Sequence, residues 1–146
     1  MNFEFNDGGR AAAGYKGNAG DCVCRAIAIA ADLPYQEVYD RLAEGNASKK
    51  KRRSVARVSQ RRSARNGISV KHKWFREYMR ELGFRWTPTM QIGGGCKVHL
   101  KADELPGGRI ICAVSKHYVA VIDGVINDTV DCSRDEARCV YGFWAL

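Results

Sequence analysis

The spacing of apolar positions divides the chain into a helical first half and a strand-rich second half. Apolar residues recur every three or four positions in three segments, which predicts three amphipathic helices. The first runs from about Cys22 to Ala31, the second from Pro34 to a stop at Gly45, and the third from Ser69 to a cap at Gly83. Residues 1–20 are rich in Gly, Ala and Asn and are interpreted as an extended lead-in.

Short β-branched and apolar runs dominate the rest of the chain and predict strands. A bend is predicted at the Pro106-Gly107-Gly108 turn, and residues 102–105 are expected to form a single helical turn. The order of helices before a mostly antiparallel sheet indicates an α+β fold in a single domain covering residues 1–146. The predicted strands are Phe84–Met90 with a break at Pro88, Lys97–Leu100, Arg109–Val114, Tyr118–Ile122, Val125–Asn127 and Cys139–Ala145.

The dipeptide Asp123-Gly124, between VAVI and VIND, predicts a two-residue type I′ hairpin. Such a turn fixes the register, so His117 and Asp128 become diagonal neighbours on one face of the sheet. Asn127 then points to the opposite face, unless a bulge exchanges the two positions. A carboxylate beside a histidine can hold one ring nitrogen and leave the other available as a base. A solvent-exposed histidine with no such role is the alternative at this position.

Positive charge is concentrated in one part of the 146-residue chain, whose net charge is +8. No acidic residue occurs between Glu44 and Glu77, and residues 46–67 lack an apolar stripe. We therefore expect a basic, mobile insertion there, either a loop or a helix that forms only on binding. It is interpreted as a solvated surface segment or as one that binds nucleic acid through phosphate. No aromatic residue is interleaved for base stacking. The candidate phosphate-binding residues are Lys49, Lys50, Lys51, Arg52, Arg53, Arg61 and Arg62.

The six cysteines show no paired zinc-ligand spacing, since Cys22 and Cys24 form a CxC and there is no CxxC. We expect no metal and no cofactor. The N-terminus lacks the pattern of a secretory signal and no apolar run is long enough to cross a membrane. The sequence thus predicts a cytoplasmic protein with reduced thiols and no membrane partner.

Two of the cysteines lie in the first turn of the first predicted helix. Asp21 is a favourable N-cap residue, which makes Cys22 the first helical residue. Free N–H groups and the helix dipole stabilise a thiolate at that position. Cys22 is the preferred nucleophile and Cys24 the alternative. Both cysteines can also be explained as small core residues.

A cysteine opening a buried helix and a histidine on a later antiparallel sheet resemble the arrangement of papain-like cysteine proteases. The segment GDCVCRAIAIA is similar to the helix-opening segment of that superfamily, above all of the compact bacteriocin-processing peptidases. KHYVAVIDGVIND is similar to its histidine strand and to the strand that carries the orienting residue. The resemblance implies a cysteine hydrolase or acyltransferase acting on a peptide or protein substrate, with Cys22, His117 and Asp128 as a triad.

One departure from the family concerns the oxyanion donor, usually a Gln about six residues before the nucleophile. Lys16 precedes Cys22 by six residues and Asn18 precedes Cys24 by six. Asn18 is the candidate donor, and the backbone N–H of Cys22 is the other. The same segments also resemble small bacteriophage and prophage proteins, which would place the chain in a bacterial host cytoplasm. A nucleic-acid-binding or protein-interaction role on a catalytically inactive papain-like fold is the alternative function.

Overall fold

The computed structural model describes residues 1–17, 20–51, 64 and 68–146. Its elements confirm the α+β class, with three helices and a mixed six-stranded sheet. The helices are α1 (Cys22–Ala31), α2 (Tyr35–Lys51) and α3 (Lys73–Glu81). The strands are β1 (Asn2–Phe5), β2 (Arg85–Pro88), β3 (Val98–His99), β4 (Arg109–Val114), β5 (His117–Ile122), β6 (Val125–Asp128), β7 (Cys139–Val140) and β8 (Gly142–Ala145), with a 3₁₀ turn at Ala102–Glu104.

The main sheet has the strand order β1-β6-β5-β4-β8-β2. All neighbours are antiparallel except β1, which runs parallel to β6. The predicted hairpin register is observed, since Ile122 pairs with Val125 and Val121 pairs with Ile126. The interpretation of residues 1–20 as only an extended lead-in is incomplete, because Asn2–Phe5 forms an edge strand of the sheet.

Side chains that alternate along the strands pack into two apolar cores, one on each face of the sheet. On one face Ile111, Ala113, Tyr118 and Ala120 pack with the helices, while on the other Ile110, Cys112, Val119 and Val121 belong to a second cluster. Helix α1 is buried along almost its whole length, from Val23 to Ala30. This burial fixes the direction of α1 across β5 and places its N-terminus at the end of the sheet where β5 begins.

The predicted stop of the second helix at Gly45 is wrong, because α2 continues to Lys51. A Cβ atom at position 45 would lie 2.3 Å from the Trp74 ring, so glycine allows close packing of that ring on the helix. The predicted loop over residues 46–67 is therefore wrong for residues 46–51, and Asn46 is buried. Ala64 is also fully buried against the helical core. The predicted mobility of residues 52–63 and 65–67 lies outside the described residues.

Two further expectations are corrected at the C-terminal end. The single strand predicted over residues 139–145 is divided at Tyr141, where β7 leaves to pair with β3 and β8 pairs with β4 and β2. Cys96 and Cys139 form a disulfide, so they are not the reduced thiols that the sequence led us to expect. Cys22, Cys24, Cys112 and Cys132 are free. Among the described residues, no helix combines the length and apolar character needed to cross a membrane.

Candidate active site

Cys22 is the first residue of α1, as the sequence predicts. Its thiol is hydrogen-bonded to the His117 side chain and accepts the backbone N–H of Tyr118. Burial alone would raise the pKa of the Cys22 thiol, but these two hydrogen bonds and the positive charges of His117 and Arg25 act in the opposite direction. The net result is a Cys22 pKa below its ordinary value. The position thus favours the thiolate, the nucleophilic form of cysteine.

The second predicted member of the site, His117, opens β5. Its Nε2 lies 2.6 Å from Oδ2 of Asp128, the last residue of β6. This hydrogen bond occupies one ring nitrogen and leaves Nδ1 as the nitrogen that can exchange a proton with a thiol. Asn127 instead accepts a hydrogen bond from Asn6 through its side-chain oxygen, at 3.2 Å. The structure therefore brings together Cys22, His117 and Asp128, with Asp128 rather than Asn127 beside the histidine.

Protonation of His117 is favoured strongly by its neighbours. Burial of the ring acts to lower its pKa, because desolvation penalises the imidazolium form. The hydrogen bonds with Asp128, Cys132 and Cys22 outweigh that effect and raise the pKa of His117 to about 11. His117 is therefore favoured as the imidazolium, whose positive charge favours ionisation of the Cys22 thiol beside it.

A buried ion-pair network, formed by Arg10, Asp21, Arg25 and Asp128, lies beneath the site. The Arg25 guanidinium bridges the two carboxylates, in contact with Asp21 through one nitrogen and 3.3 Å from Asp128 Oδ1 through the other. Arg10 approaches Asp21 at 3.0 Å, and the Tyr35 hydroxyl donates to the same carboxylate at 2.5 Å. The network connects the first turn of α1 to the end of β6.

The same contacts explain why the predicted N-cap is only half correct. Asp21 precedes α1 as expected, but its side chain makes no capping hydrogen bond and is engaged by the arginines instead. The helix start consequently keeps its backbone N–H groups unshielded by that carboxylate. Asp128 is held in a similar way, since burial would raise its pKa but His117, the Thr129 N–H and Arg25 keep it below the usual value. Asp128 is therefore a carboxylate throughout the neutral range.

Cys132 is a neighbour of His117 that sequence reasoning missed. Its side chain is hydrogen-bonded to His117, and it comes from the loop that follows β6. The ligand atoms of His117, Asp128 and Cys132 all lie within 4.8 Å of one another. In the sequence, only the short separation of Cys132 from Asp128, four residues, indicates that the two side chains could lie close together. The conformation of the loop after β6 brings them together.

A cavity of about 310 Å³ borders both Cys22 and His117. Its wall is largely apolar, and the Lys116 side chain also lines it. The lining also includes the ring of Tyr118 next to the thiol. The apolar lining residues are Val23, Ile68, Val70 and Val114. This volume fits an apolar side chain placed beside a carbonyl that approaches Cys22.

The remaining sequence candidates lie away from this contact set or outside the described residues. Cys24 is fully buried on another side of α1, with its thiol 3.9 Å from the Tyr35 carbonyl oxygen, and burial raises its pKa to about 12. Asn18 lies outside the described residues, so its predicted oxyanion role stays a prediction. The same holds for the predicted phosphate contacts of the basic segment. Its residues Arg52, Arg53, Arg61 and Arg62 are not described, nor are the side chains of Lys49, Lys50 and Lys51.

No family model, no curated protein and no solved structure matches this chain.

Proposed function

We propose that this chain is a papain-like cysteine hydrolase or acyltransferase that acts on a peptide, isopeptide or related amide bond. The observation that carries the proposal is the continuous contact of Cys22 with His117 and of His117 with Asp128. These are a nucleophile, an acid–base group and an orienting carboxylate, arranged as covalent acyl transfer requires. The order of helix, sheet and site along the chain supports the papain-like assignment.

In the proposed reaction, the Cys22 thiolate attacks the carbonyl carbon and a carbon–sulfur bond forms. The resulting oxyanion lies next to the start of α1, where the Cys22 backbone N–H can donate to it. His117 transfers the proton on Nδ1 to the leaving amine, the carbon–nitrogen bond breaks and a thioester remains. Water or another acceptor, deprotonated by His117, then releases the acyl group.

The cavity wall supports a preference for substrates with an apolar group next to the reactive carbonyl. Val23, Val70 and Val114 offer contacts to such a group, whereas an anionic part of the same substrate can approach Lys116. The substrates we propose are therefore aliphatic peptides or proteins rather than highly charged ones.

Selective alkylation tests the proposal without knowledge of the substrate. With iodoacetamide at about pH 6.5 and a metal chelator present, we expect Cys22 to react at least about tenfold faster than Cys24 or Cys112, because each pKa unit changes the thiolate fraction about tenfold. Site-resolved mass spectrometry gives the rates. The pKa of Cys112 is raised to about 12 by burial, so it is an internal reference.

Variants then separate the proposed roles. His117→Ala should remove the rate advantage of Cys22, and Asp128→Asn should reduce it. Asn127→Ala is the matched control, one residue away on the opposite face, and should leave the rate unchanged. If Cys22 reacts no faster than a free cysteine, the catalytic proposal fails, and a non-catalytic interaction role replaces it.

A further inference from the structure

Three different donor types converge at the beginning of β5. An imidazole nitrogen of His117, a carboxylate oxygen of Asp128 and the Sγ of Cys132 lie within 4.8 Å of one another. Asp128 is 3% exposed and Cys132 is 7% exposed, so two of the three donors are shielded from bulk water. Nitrogen, oxygen and thiolate sulfur together are the ligands that Zn²⁺ and Co²⁺ accept in proteins.

The loop that carries Cys132 is fixed by polar contacts. Arg138 donates to the Cys132 carbonyl oxygen at 3.3 Å and to the Ser115 carbonyl oxygen at 2.5 Å, which ties the loop to the β4–β5 turn. On either side of Cys132, the Asp131 carboxylate accepts a hydrogen bond from the backbone N–H of Ser133 at 2.9 Å. These contacts fix the position of the Cys132 thiol relative to β5.

Contrary to the expectation from the cysteine spacing, we propose that His117, Asp128 and Cys132 form a binding site for a divalent transition-metal ion of the Zn²⁺ class, in which Cys22 is not a ligand. A tetrahedral ion with bonds of about 2.0–2.3 Å places its ligand atoms roughly 3.3–3.5 Å apart. The His117–Asp128 pair, now at 2.6 Å, would open by less than 1 Å, and the Cys132 sulfur would move closer by up to about 1.3 Å. Side-chain rotations are sufficient for shifts of this size.

The charges around the three donors allow such an ion. Asp128 and the thiolate of Cys132 together balance its two positive charges. Arg25 contacts the other oxygen of Asp128 at 3.3 Å and also pairs with Asp21, which it shares with Arg10, so the ion, its ligands and this network together carry one positive charge. Arg25 and the Thr129 N–H, which donates to Asp128 Oδ1 at 2.7 Å, would orient the carboxylate for coordination through Oδ2.

Binding would displace two protons, the one between His117 and Asp128 and the one on the Cys132 thiol, into solvent. A metal bond at Nε2 would also end the role of Asp128 as the hydrogen-bond partner of His117. An occupied site is therefore an inhibited form of the proposed enzyme. The metal site itself, however, does not rest on the proposed activity.

Cobalt substitution tests the site directly. Protein freed of metal with a chelator is titrated with Co²⁺, thiolate-to-cobalt absorption is followed, and Zn²⁺ is then added to displace the cobalt. We expect one equivalent to bind to the wild type, to Cys22→Ala and to the matched control Cys24→Ala. In Cys132→Ser the thiolate absorption should disappear, and in Asp128→Asn the affinity should fall at least about tenfold.

The outcomes separate this site from the nucleophile. Persistence of the thiolate band in Cys132→Ser, or its loss in Cys22→Ala, would place the ion on another thiol and overturn the proposal. Absence of the band in the wild type under excess Co²⁺ would overturn it as well. Should Cys132→Ser not fold, Asp128→Asn and Cys22→Ala still decide, because the first must bind weakly and the second normally. Fast alkylation of Cys22 without metal would remain evidence for the proposed function in either case.

Discussion

Replacing Arg25 by Met should be among the most destabilising changes at the site. Arg25 is 9% exposed and is the group that connects the carboxylates of Asp21 and Asp128. Methionine keeps much of the side-chain volume but leaves both carboxylates buried with one partner fewer. Removing one partner of a buried ion pair costs about 3–5 kcal/mol of unfolding free energy.

The structure places the expected loss at the lower end of that range. Asp21 keeps the Arg10 guanidinium at 3.0 Å and the Tyr35 hydroxyl at 2.5 Å. Asp128 keeps His117 at 2.6 Å together with a backbone N–H. We therefore expect a loss of about 3 kcal/mol, which corresponds to a Tm lower by roughly 6–12 °C for a domain of this size.

The direction of the pH dependence follows from the pKa of Asp128, which is below its usual value in the folded state. Stability from such a carboxylate is fully present above its unfolded pKa of about 3.9 and is lost as the pH falls through the folded pKa. Loss of the Arg25 charge raises the folded pKa of Asp128. Acid unfolding of Arg25→Met should consequently begin at a higher pH than that of the wild type.

Urea denaturation at pH 7 and thermal scans between pH 3 and 7 provide the measurements. Arg80→Met, on the exposed side of α3, is the matched control and should change stability by no more than about 0.5 kcal/mol. Arg25→Lys, which keeps a charge but not the two-pronged contact, should fall between the two. If Arg25→Met is as stable as Arg80→Met, the bridging arginine is not what stabilises the two carboxylates, and the reasoning is refuted.

Three other changes have outcomes fixed by local packing or by chain connectivity. Cys24→Ala should reduce the unfolding free energy by about 1–2 kcal/mol through loss of a fully buried thiol, and mass spectrometry should find the alkylation rate of Cys22 unchanged; a slower rate would make Cys24 part of the site. Cys96→Ser removes a cross-link that spans 43 residues, so urea denaturation should show an unfolding free energy lower by up to about 4 kcal/mol. Added reductant should not lower the stability of this variant further. Gly45→Ala should lower the Tm and destabilise by about 1–3 kcal/mol, against the usual helical gain, because its Cβ would meet the Trp74 ring at 2.3 Å; a Tm equal to or above that of the wild type would show that the ring moves aside.

Local sequence rules were sufficient for those parts of the fold whose geometry is set by neighbouring residues. The hairpin register follows from Asp123-Gly124 alone, and Asp123 does adopt the positive φ of 47° that such a turn requires. That register correctly places Asp128 beside His117. The predicted bounds of α1, from about Cys22 to Ala31, are those observed, and the helix ends at Asp32, which has a left-handed backbone conformation.

Long-range packing determined what the sequence could not show. Gly45 has the chemistry of a helix stop, and only the ring of Trp74 reveals why a glycine lies inside α2. The side chain of Asp21 has the chemistry of a cap, but the arginines that engage it come from the N-terminal segment and from the next turn of α1. The thiol of Cys132 reaches His117 only through the loop conformation after β6, which no periodicity encodes.

The charge balance of the site predicts that Asp128 affects Cys22 more strongly than its one hydrogen bond to His117 suggests. The buried ion-pair network contains two arginines and two aspartates, so it is neutral as a whole. Transfer of a proton from Cys22 to His117 conserves the charge of that pair, so the contacts and charges around the two side chains decide between the neutral pair and the ion pair. Asp128→Asn alters both conditions at once, since it removes the anion beside His117 and leaves the network with one excess positive charge. Both changes disfavour the imidazolium form of His117. Asp128→Asn should therefore slow the alkylation of Cys22 more than the loss of an equally short hydrogen bond between neutral groups would.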